Sequence, residues 1–368
     1  TSATASGTID TNAPDLSIDS LSPTNDVTPT ISGSSSAIGA AVNLTLTDAN
    51  GQIQTVTAVV AADGSWQVSA AQALAEGVFS VSASVTDAQG NEAQANAQGQ
   101  IDVTAPTLSI DPLGAQSDTT PIISGVSSQV GGSVVIEVTD SDGTTQTLTA
   151  VVQSDGRWQV EASQPLAEGD YTVLASVTDE AGNNTQASAQ GSIDASAPDL
   201  TIDNPGIGND TTPIITGSSS EVGATVAITV VDASGNSQTV QATVQGDGTW
   251  SASLAAPLAE GQYTITAEVS DNAGNQANDQ VQGEVDITAP TVTISPVGSV
   301  NDETPVISGS AEGNEGDVVS ITVVDASGDS QSFTALLAGD GSWTAEVPAA
   351  LAEGDFDITA SITDTAGN

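Results

Sequence analysis

The chain is 368 residues long and carries 47 acidic residues against a single basic one, Arg157, so its formal net charge is −46 at pH 7. It contains no His, Cys or Met. Without imidazole, thiol or amine side chains, Ser-His, Cys-His and Schiff-base nucleophiles are excluded, and zinc, haem and iron–sulfur sites are disfavoured. Only chemistry that uses carboxylates alone stays open, so we expect no enzyme. The charge also disfavours nucleic acid and anionic membranes as partners.

Hydrophobic residues make up 38% of the chain and alternate with polar residues in Val/Ile/Leu/Thr-rich runs. Alternation of this kind indicates half-buried β-strands rather than disorder. No apolar run reaches the roughly 18 residues that a membrane helix needs, and no segment resembles a signal peptide. We therefore expect a soluble β-protein without disulfides, excerpted from a longer chain.

Four copies of one unit are visible. An Ala-Pro pair recurs every 92 residues, and one Trp recurs at intervals of 92, 92 and 93 residues, at Trp66, Trp158, Trp250 and Trp343. A period this long with one Trp in each unit predicts independent domains rather than solenoid turns. We predict repeats 1 to 4 at residues 11–102, 103–194, 195–286 and 287–368. Residues 1–10 match the last strand of a repeat, and repeat 4 ends before its own last strand.

Repeat 2 shows the strand pattern. Strands A to G are predicted at Thr107–Ile110, Ile122–Gly125, Ser133–Thr139, Thr145–Val152, Arg157–Glu161, Tyr171–Thr178 and Asn184–Ile193. Seven short strands without helical periodicity are typical of an immunoglobulin-type antiparallel β-sandwich. The predicted fold class is all-β, with four tandem sandwiches in an extended rod.

Two aromatic positions recur in every repeat. The Trp that opens strand E is expected in the core rather than as a stacking platform for a ligand. The residue after "LAEG" lies at the corner before strand F, where such sandwiches place a Tyr whose hydroxyl bonds to the backbone. Tyr171 and Tyr263 fit this role, whereas Phe79 and Phe356 have no hydroxyl and can only pack.

Acidic side chains are expected to collect where one repeat meets the next. The B–C, D–E and F–G loops lie at the end where strand A enters, and the A–B, C–D and E–F loops lie at the opposite end. Carboxylates from two repeats then meet without a nearby cationic side chain, and a hard cation with roughly six to eight oxygen ligands would join them. The sequence therefore predicts Ca²⁺ sites at the junctions. The candidate ligands are the linker residues Asp10, Asp102, Asp194 and Asp286; the F–G residues Asp87, Asp179, Asp271, Asp364, Asn183, Asn275 and Asn368; the A–B residues Asp26, Asp118 and Asp210; the C–D residues Asp48, Asp140 and Asp232; and the E–F residues Glu76, Glu168 and Glu260.

Turn formation is the competing explanation for several of these acids. Asp-Gly in the D–E loops, as at Asp155, is a hairpin signal in its own right. "DANG" at 48–51 and "DSDG" at 140–143 resemble the opening of a calcium loop but lack its downstream Glu. The F–G Asp can close an Asx-turn. The linker acids Asp102, Asp194 and Asp286 match no turn type, so they are the leading candidates.

A family resemblance follows from these motifs in order. "NDVTP" (25–29), "DGSW" (63–66), "DVTAP" (102–106), "DTTPIISG" (118–125), "LAEGDY" (166–171) and "VTDEAGN" (177–183) resemble the bacterial immunoglobulin-like tandem repeats in the extender region of giant RTX adhesins. The resemblance implies calcium at domain junctions and a stalk that projects a ligand-binding domain for attachment or biofilm formation. It also implies type I secretion to the bacterial cell surface. Repeat 4 departs from the pattern, with Ser295 where the other repeats have Asp19, Asp111 and Asp203, and the RTX nonapeptides are absent.

Two further expectations concern partners. The segment "TSATASGTID" (1–10) matches strand G, "QASAQGSID" (186–194), and we predict an orphan strand that can be exchanged head to tail with the fourth repeat of another molecule. The neighbouring repeats and calcium ions are the other expected partners. An alternative to the spacer function is that the repeats themselves form a calcium-dependent adhesive module for a glycan or a partner protein. A spacer attached to a secreted hydrolase is a third reading.

Overall fold

A computed structural model describes residues 3–5, 7 and 9–368 of the chain. Two compact units, residues 1–195 and 196–368, each contain two repeats. The elements of the described residues are all β-strands, which confirms the all-β class. Among those residues, no helix is long and apolar enough to cross a bilayer.

The described residues of the first unit form fifteen strands. Those of repeat 1 are β1 (Leu16–Ile18), β2 (Thr30–Ser35), β3 (Ala41–Thr47), β4 (Ile53–Val59), β5 (Ser65–Ser69), β6 (Gly77–Thr86) and β7 (Glu92–Ile101). Those of repeat 2 are β8 (Leu108–Ile110), β9 (Ala115–Gln116), β10 (Ile122–Ser127), β11 (Ser133–Thr139), β12 (Thr145–Val151), β13 (Arg157–Glu161), β14 (Gly169–Thr178) and β15 (Asn184–Ile193). The seven strands predicted for repeat 2 are therefore confirmed, with end shifts of one or two residues.

The second unit holds fourteen strands. Those of repeat 3 are β16 (Leu200–Ile202), β17 (Ile207–Gly208), β18 (Ile214–Ser219), β19 (Thr225–Val231), β20 (Ser237–Thr243), β21 (Thr249–Ser253), β22 (Gly261–Ser270) and β23 (Gln276–Val285). Those of repeat 4 are β24 (Val292–Ile294), β25 (Val306–Ala311), β26 (Val318–Val324), β27 (Ser330–Leu336), β28 (Ser342–Glu346) and β29 (Asp357–Ile362).

Each repeat is a pair of sheets. Strands A, B and E form one sheet with B in the middle, and the other sheet has the order D, C, F and G in repeats 1 to 3 and D, C and F in repeat 4. In repeats 2 and 3 a two-residue strand, β9 or β17, pairs in parallel with strand G and extends the second sheet. The sequence prediction missed this extension, because two residues are too short to show alternation. In repeat 4 strand F, β29, lies at the edge of its sheet.

The core of each repeat lies between its two sheets. Alternate residues of strands C and F point inwards, so Val134, Ile136 and Val138 are fully buried. The recurring Trp lies between the sheets and is at most 3% exposed in all four repeats. Its indole N–H has no hydrogen-bond partner, so the side chain acts through packing, which confirms the core role.

The backbone hydrogen bond predicted for the corner Tyr is wrong. The Tyr171 hydroxyl accepts a hydrogen bond from the side-chain amide of Gln116 at 2.9 Å, because β9 places Gln116 beside strand G. In repeat 3 the position that corresponds to Gln116 is Gly208, which has no side chain to donate. Tyr263 is nevertheless buried, with 3% exposure.

The described residues of the N-terminal segment, 3–5, 7, 9 and 10, lie in no strand. Ile9 is 93% exposed. The predicted orphan strand is therefore not paired in the described part of this segment, and its remaining residues, 1, 2, 6 and 8, lie outside the described residues.

Substitution of Gly217 by Ala is expected to destabilise repeat 3 by about 3 kcal/mol, because overpacking a tight core forces a backbone shift. A Cβ atom at this position would lie 2.0 Å from the Thr201 carbonyl oxygen and 2.3 Å from the Trp250 ring. Hydrogen exchange of repeat 3 peptides during urea unfolding measures the loss. Gly246→Ala is the control, since a Cβ there meets nothing within 4 Å, and equal loss in both variants would contradict the packing argument.

Candidate metal-binding junctions between repeats

The F–G loop of each repeat is closed by an Asp and an Asn four residues later. Asp179 Oδ1 accepts the backbone N–H of Asn183 at 2.8 Å, and Oδ2 accepts the Asn183 side-chain amide at 2.9 Å. The same pairs form at Asp87 and Asn91, Asp271 and Asn275, and Asp364 and Asn368. Both oxygens of this Asp therefore stabilise its own loop.

The Asn of this pair also holds the linker that leads into its repeat. Asn183 Nδ2 donates to the backbone carbonyl of Asp102 at 2.9 Å. Asn368 holds Asp286 in the same way at 2.8 Å, and Asn91 holds Asp10 at 3.3 Å. The structure thus brings the F–G loop and the linker acid together as predicted, but through an amide and a carbonyl rather than through two carboxylates.

The A–B loop of repeat 1 contacts the F–G loop of repeat 2. The backbone N–H of Asn25 donates to the carbonyl of Ala181 at 3.0 Å, and that of Asp102 donates to the carbonyl of Thr24 at 3.0 Å. Ala181 is 8% exposed as a result. At the junction of repeats 3 and 4, a Cβ added to Gly367 would lie 3.5 Å from Asn209 Nδ2. Sequence analysis missed the two asparagines, although Asn precedes the A–B Asp in both motifs.

The A–B acid itself closes a turn. Asp26 Oδ1 accepts both the backbone N–H and the hydroxyl of Thr28. Asp118 and Asp210 make the same two bonds to Thr120 and Thr212. One oxygen of each carboxylate is therefore held by an Asx-turn, and the other accepts no hydrogen bond from the described residues.

The C–D acids join two loops of one repeat. Asp48 Oδ1 accepts the backbone N–H groups of Asn50 and Gln52, and Oδ2 accepts the N–H of Ala75 in the E–F loop. Asp140 and Asp232 reach Ala167 and Ala259 in the same way, and so does Asp325 with Ala352, which the sequence analysis left out despite its "DASG" motif. Asp48 and Asp232 are buried. These bonds shape the C–D turn and join it to the E–F loop of the same repeat.

The E–F glutamate reaches the linker through a threonine. Glu76 Oε1 accepts the Thr104 hydroxyl, and Asp102 Oδ1 accepts the Thr104 backbone N–H. Glu260, Thr288 and Asp286 repeat the arrangement. Within repeat 2, the carbonyl of Glu168 accepts the Ser141 hydroxyl, and the N–H of Asp194 donates to the carbonyl of Gln116. The linker threonine was a further residue that sequence analysis missed.

Within residues 3–5, 7 and 9–368, no three acidic side chains come close enough together to hold a metal ion. Threonines lie between the acids instead. Asp26 accepts a hydrogen bond from Thr28, and Glu76 and Asp102 both accept hydrogen bonds from Thr104, through one oxygen each. Their second oxygens accept no hydrogen bond in the described part of the chain. The D–E acids Asp63, Asp155, Asp247 and Asp340 accept hydrogen bonds only within their own turns.

The loop carboxylates are held in the charged form by their donors. The Asn183 side-chain amide lowers the pKa of Asp179, and the backbone amides of the loop add to this effect. The Gln52 backbone amide lowers the pKa of Asp48. Arg157 contributes little, because its 3.6 Å ion pair with Asp111 joins two side chains that are 63% and 43% exposed. Neutral amide dipoles, rather than cations, therefore stabilise the acids that shape the loops.

A bacterial Ig-like domain family model matches residues 6–103, 114–195, 197–287 and 297–368. These four stretches make up most of the sequence, so the chain belongs to the bacterial Ig-like domain family. No curated protein matches the chain.

Among solved structures, one similar chain is a tetra-tandem repeat in the extending region of a large adhesion protein, with 31% identity over 97% of this chain and 96% of that one and a TM-score of 0.39. A second is a Ca²⁺-stabilised adhesin with which an Antarctic bacterium binds ice, with 23% identity over 98% and 97% and a TM-score of 0.35. A third belongs to a study of host cell surface retention of a 1.5-MDa bacterial ice-binding adhesin, with 20% identity over 75% and 100% and a TM-score of 0.33.

Replacing Asn183 by Ala is expected to loosen the first junction without unfolding repeat 2. The hydrogen bond to the Asp102 carbonyl is lost, and one such bond is worth about 1 kcal/mol, so the linker amides should exchange roughly fivefold faster. Asn184→Ala is the control, because its amide bonds only Val177 and Thr178 inside repeat 2. Unchanged exchange at Asp102 and Thr104 in N183A would contradict the clamp.

Lowering the pH should remove the stabilisation that the hydrogen bonds of the charged Asp232 side chain give to repeat 3. The Asn236 side chain lowers the pKa of Asp232 below its usual 3.8, so the folded state binds this proton less readily than the unfolded state. Its stabilising effect is therefore complete above about pH 3.8 and is lost as the pH falls through the lower folded value. The Asp232→Asn variant should melt below the parent protein at neutral pH, and the difference should shrink in acid. Calorimetry at several pH values measures the melting temperatures. The exposed Asp199→Asn is the control. A difference in melting temperature between D232N and the parent protein that stays constant with pH would contradict this assignment.

Proposed function

We propose that this chain is a calcium-rigidified spacer of a bacterial surface adhesin, which holds a distal ligand-binding domain away from the cell and performs no catalysis. The observation that carries the proposal is that both flanking repeats form hydrogen bonds with the linker. Side chains and backbone of both flanking repeats bind the short stretch around Asp102, through Asn183 on one side and Glu76 on the other. A spacer needs such a fixed connection, because free hinges would let the domains fold back on each other.

The donor atoms around the linker suit a hard cation. Asp26, Glu76 and Asp102 each have a second carboxylate oxygen that accepts no hydrogen bond from the described residues, the linker carries no basic side chain, and carboxylate oxygens are ligands that Ca²⁺ prefers. These side chains are partly or fully exposed, so their outer oxygens can turn towards an arriving ion. Asp210, Glu260 and Asp286 offer the same set at the junction of repeats 3 and 4. Bound calcium would supply positive charge between the two repeats.

Family and relatives support the spacer role. The chain is a tandem array of bacterial Ig-like domains, and it shares 31% identity along nearly its whole length with an array from the extending region of a large adhesion protein. An extracellular location at the bacterial surface, export by a type I system, and a role in attachment or biofilm formation are part of this proposal.

Burial of the aromatic residues argues against the alternative that the repeats bind glycans. Glycan sites commonly use an exposed aromatic ring as a platform. The four Trp residues, Tyr171, Tyr263 and Phe79 are at most 3% exposed, and Phe333 and Phe356 are packed against the core of repeat 4. The described chain therefore offers no such platform.

Calcium should raise the melting temperature of the full chain. A ligand at a thousand times its dissociation constant adds about 4 kcal/mol per site to the folded state, and a rigid junction should also increase the maximum dimension measured by small-angle scattering. Equal melting and equal scattering in calcium and in chelator would refute the calcium part of the proposal. The spacer part would then rest on the linker clamp alone.

A matched pair of variants locates the sites. Asp102→Asn keeps an oxygen that can accept the Thr104 N–H but removes the negative charge, so calorimetric titration should show weaker calcium binding at the first junction. Asp63→Asn makes the same change in a D–E turn, where the Asp63 side chain bonds only Ser65 of that turn, and should leave binding unchanged. Equal binding by D102N and the parent protein would remove Asp102 from the site.

A further inference from the structure

We propose that strand β4 (Ile53–Val59) of one copy of this chain pairs with β4 of a second copy to form a dimer through repeat 1. The two strands run antiparallel, and the twofold axis that relates them passes through Val56. Three features of β4 carry the proposal: a row of unbonded backbone groups, a sequence without charge and a self-complementary register of side chains. The contact is independent of calcium and goes beyond the spacer function.

Strand β4 has one open side, because it is the first strand in the sheet order β4, β3, β6 and β7. At its two ends, the Val60 N–H donates to the Ala40 carbonyl, and the Gln52 carbonyl accepts the Asp48 N–H. Even-numbered residues therefore face β3, and since backbone direction alternates along a strand, odd-numbered residues face the open side. Within residues 3–5, 7 and 9–368, the backbone groups of these odd-numbered residues form no hydrogen bond. They are Ile53, Thr55, Thr57 and Val59.

The same side of strand D is less open in repeats 2 and 3. The side-chain amide of Gln153 donates to the Val151 carbonyl at 3.0 Å, and that of Gln245 donates to the Thr243 carbonyl at 2.9 Å. Repeat 1 has Ala61 at this position, and alanine has no side-chain donor. The last carbonyl of β4 is therefore left for a partner strand.

Strand β4 also lacks the features that protect edge strands from pairing with other chains, which are commonly charged residues or proline. Neither β4 nor its neighbour β3 contains any of these, although the chain has 47 acids in 368 residues. In repeat 2, by contrast, β11 places Glu137 opposite Thr147 of strand D, whereas in repeat 1 Thr45 lies opposite Thr55. Two copies with a net charge of −46 each repel one another, so a neutral strip such as β4 is where they can come into contact.

An antiparallel pair of β4 strands centred on Val56 is self-complementary. Ile53 of one copy lies opposite Val59 of the other, and Thr55 lies opposite Thr57. Ile53 and Val59 are 67% and 65% exposed, so their pairing removes apolar surface of both copies from water. All these pairs can exchange backbone hydrogen bonds, because their N–H and C=O groups face the open side.

The other D strands do not match themselves as well. The same twofold register in β12, β20 and β27 places Thr opposite Val, Ser opposite Thr and Ser opposite Leu at the outer positions. Only β4 has an apolar side chain at both of these positions. The pairing is therefore assigned to repeat 1.

The occupant is a second copy because the sequence of β4 matches itself. Strand addition at a sheet edge gains affinity from main-chain hydrogen bonds and specificity from the side chains beside them. A twofold contact uses the same surface on both partners, so association closes at a dimer. The negative charge of both copies opposes association, so the dimer should become stronger as salt screens the repulsion.

Sedimentation velocity of the full chain in chelator, at low and at high salt, tests the dimer. We expect a monomer–dimer equilibrium that high salt shifts towards dimer. Thr55→Pro should weaken association at least about tenfold, because proline removes an N–H from the open side of both strands without removing a bond to β3.

Thr147→Pro is the matched control, since Thr147 has the same place in strand D of repeat 2, and it should associate like the parent protein. A chain that stays monomeric at its highest soluble concentration in high salt overturns the proposal, as does equal weakening by T55P and T147P. Neither outcome bears on the calcium sites, because chelator is present throughout.

Engineered cysteines test the register, since the chain has none of its own. Ile53→Cys combined with Val59→Cys should give a covalent dimer with two disulfides under oxidation, because positions 53 and 59 of the two copies lie opposite each other, with Cα atoms about 5.5 Å apart. Within one copy these positions are roughly 20 Å apart, which excludes an internal bond.

Ile53→Cys combined with Thr57→Cys is the control for the register. Its cysteines would be offset by two residues across the strand pair, which is too long for a disulfide. An equal yield of covalent dimer from both double variants overturns the register. A ladder of larger oligomers from I53C/V59C overturns the twofold arrangement.

Discussion

The structure depends on one interaction, the hydrogen bond between an aspartate side chain and nearby amide groups. Asp48 joins two loops of repeat 1 in this way, and Asp179 closes the loop that meets repeat 1 from the other side. These bonds stabilise the loop carboxylates of a chain that has 47 acids and one base, because amide dipoles take the place of cationic side chains. They also fix the ends of each sandwich, which is where the repeats meet.

This interaction decides which carboxylates remain for a metal. The acids of the C–D and F–G loops use both oxygens inside their own repeat, so their role is structural in the described chain. The acids beside the linker, Asp26, Glu76 and Asp102, use one oxygen each and keep the other. The junction is thus already connected by neutral hydrogen bonds, and calcium would add charge compensation and rigidity to an existing contact rather than create one.

The same strand that completes a sandwich also leads to the next junction. Strand G of repeat 1 ends at the buried Ile101, and the next residue, Asp102, is held by the following repeat. Completing the core and joining two repeats are therefore consecutive parts of one segment.

Much of this protein was determined by the sequence alone. Three sequence features follow from local requirements: the period of 92 residues, the alternation in strands B to G and the Trp of strand E. A half-buried strand must alternate apolar and polar residues, and the space between two sheets must be filled by large side chains. The meeting of the F–G loop with the linker also followed from the known connectivity of such sandwiches. Local chemistry fixes these features, so they can be predicted without coordinates.

Only the tertiary structure decided how the acids are used. The sequence pattern around a loop Asp is the same whether its oxygens bind an ion or an amide. One donor to Asp48 is the backbone amide of Ala75, which is 27 residues away in the sequence. The partner of Tyr171, Gln116, likewise depends on a two-residue strand that brings distant segments together. Contacts between remote parts of the chain leave no local pattern, and for that reason the roles of the junction residues became visible only in the folded protein.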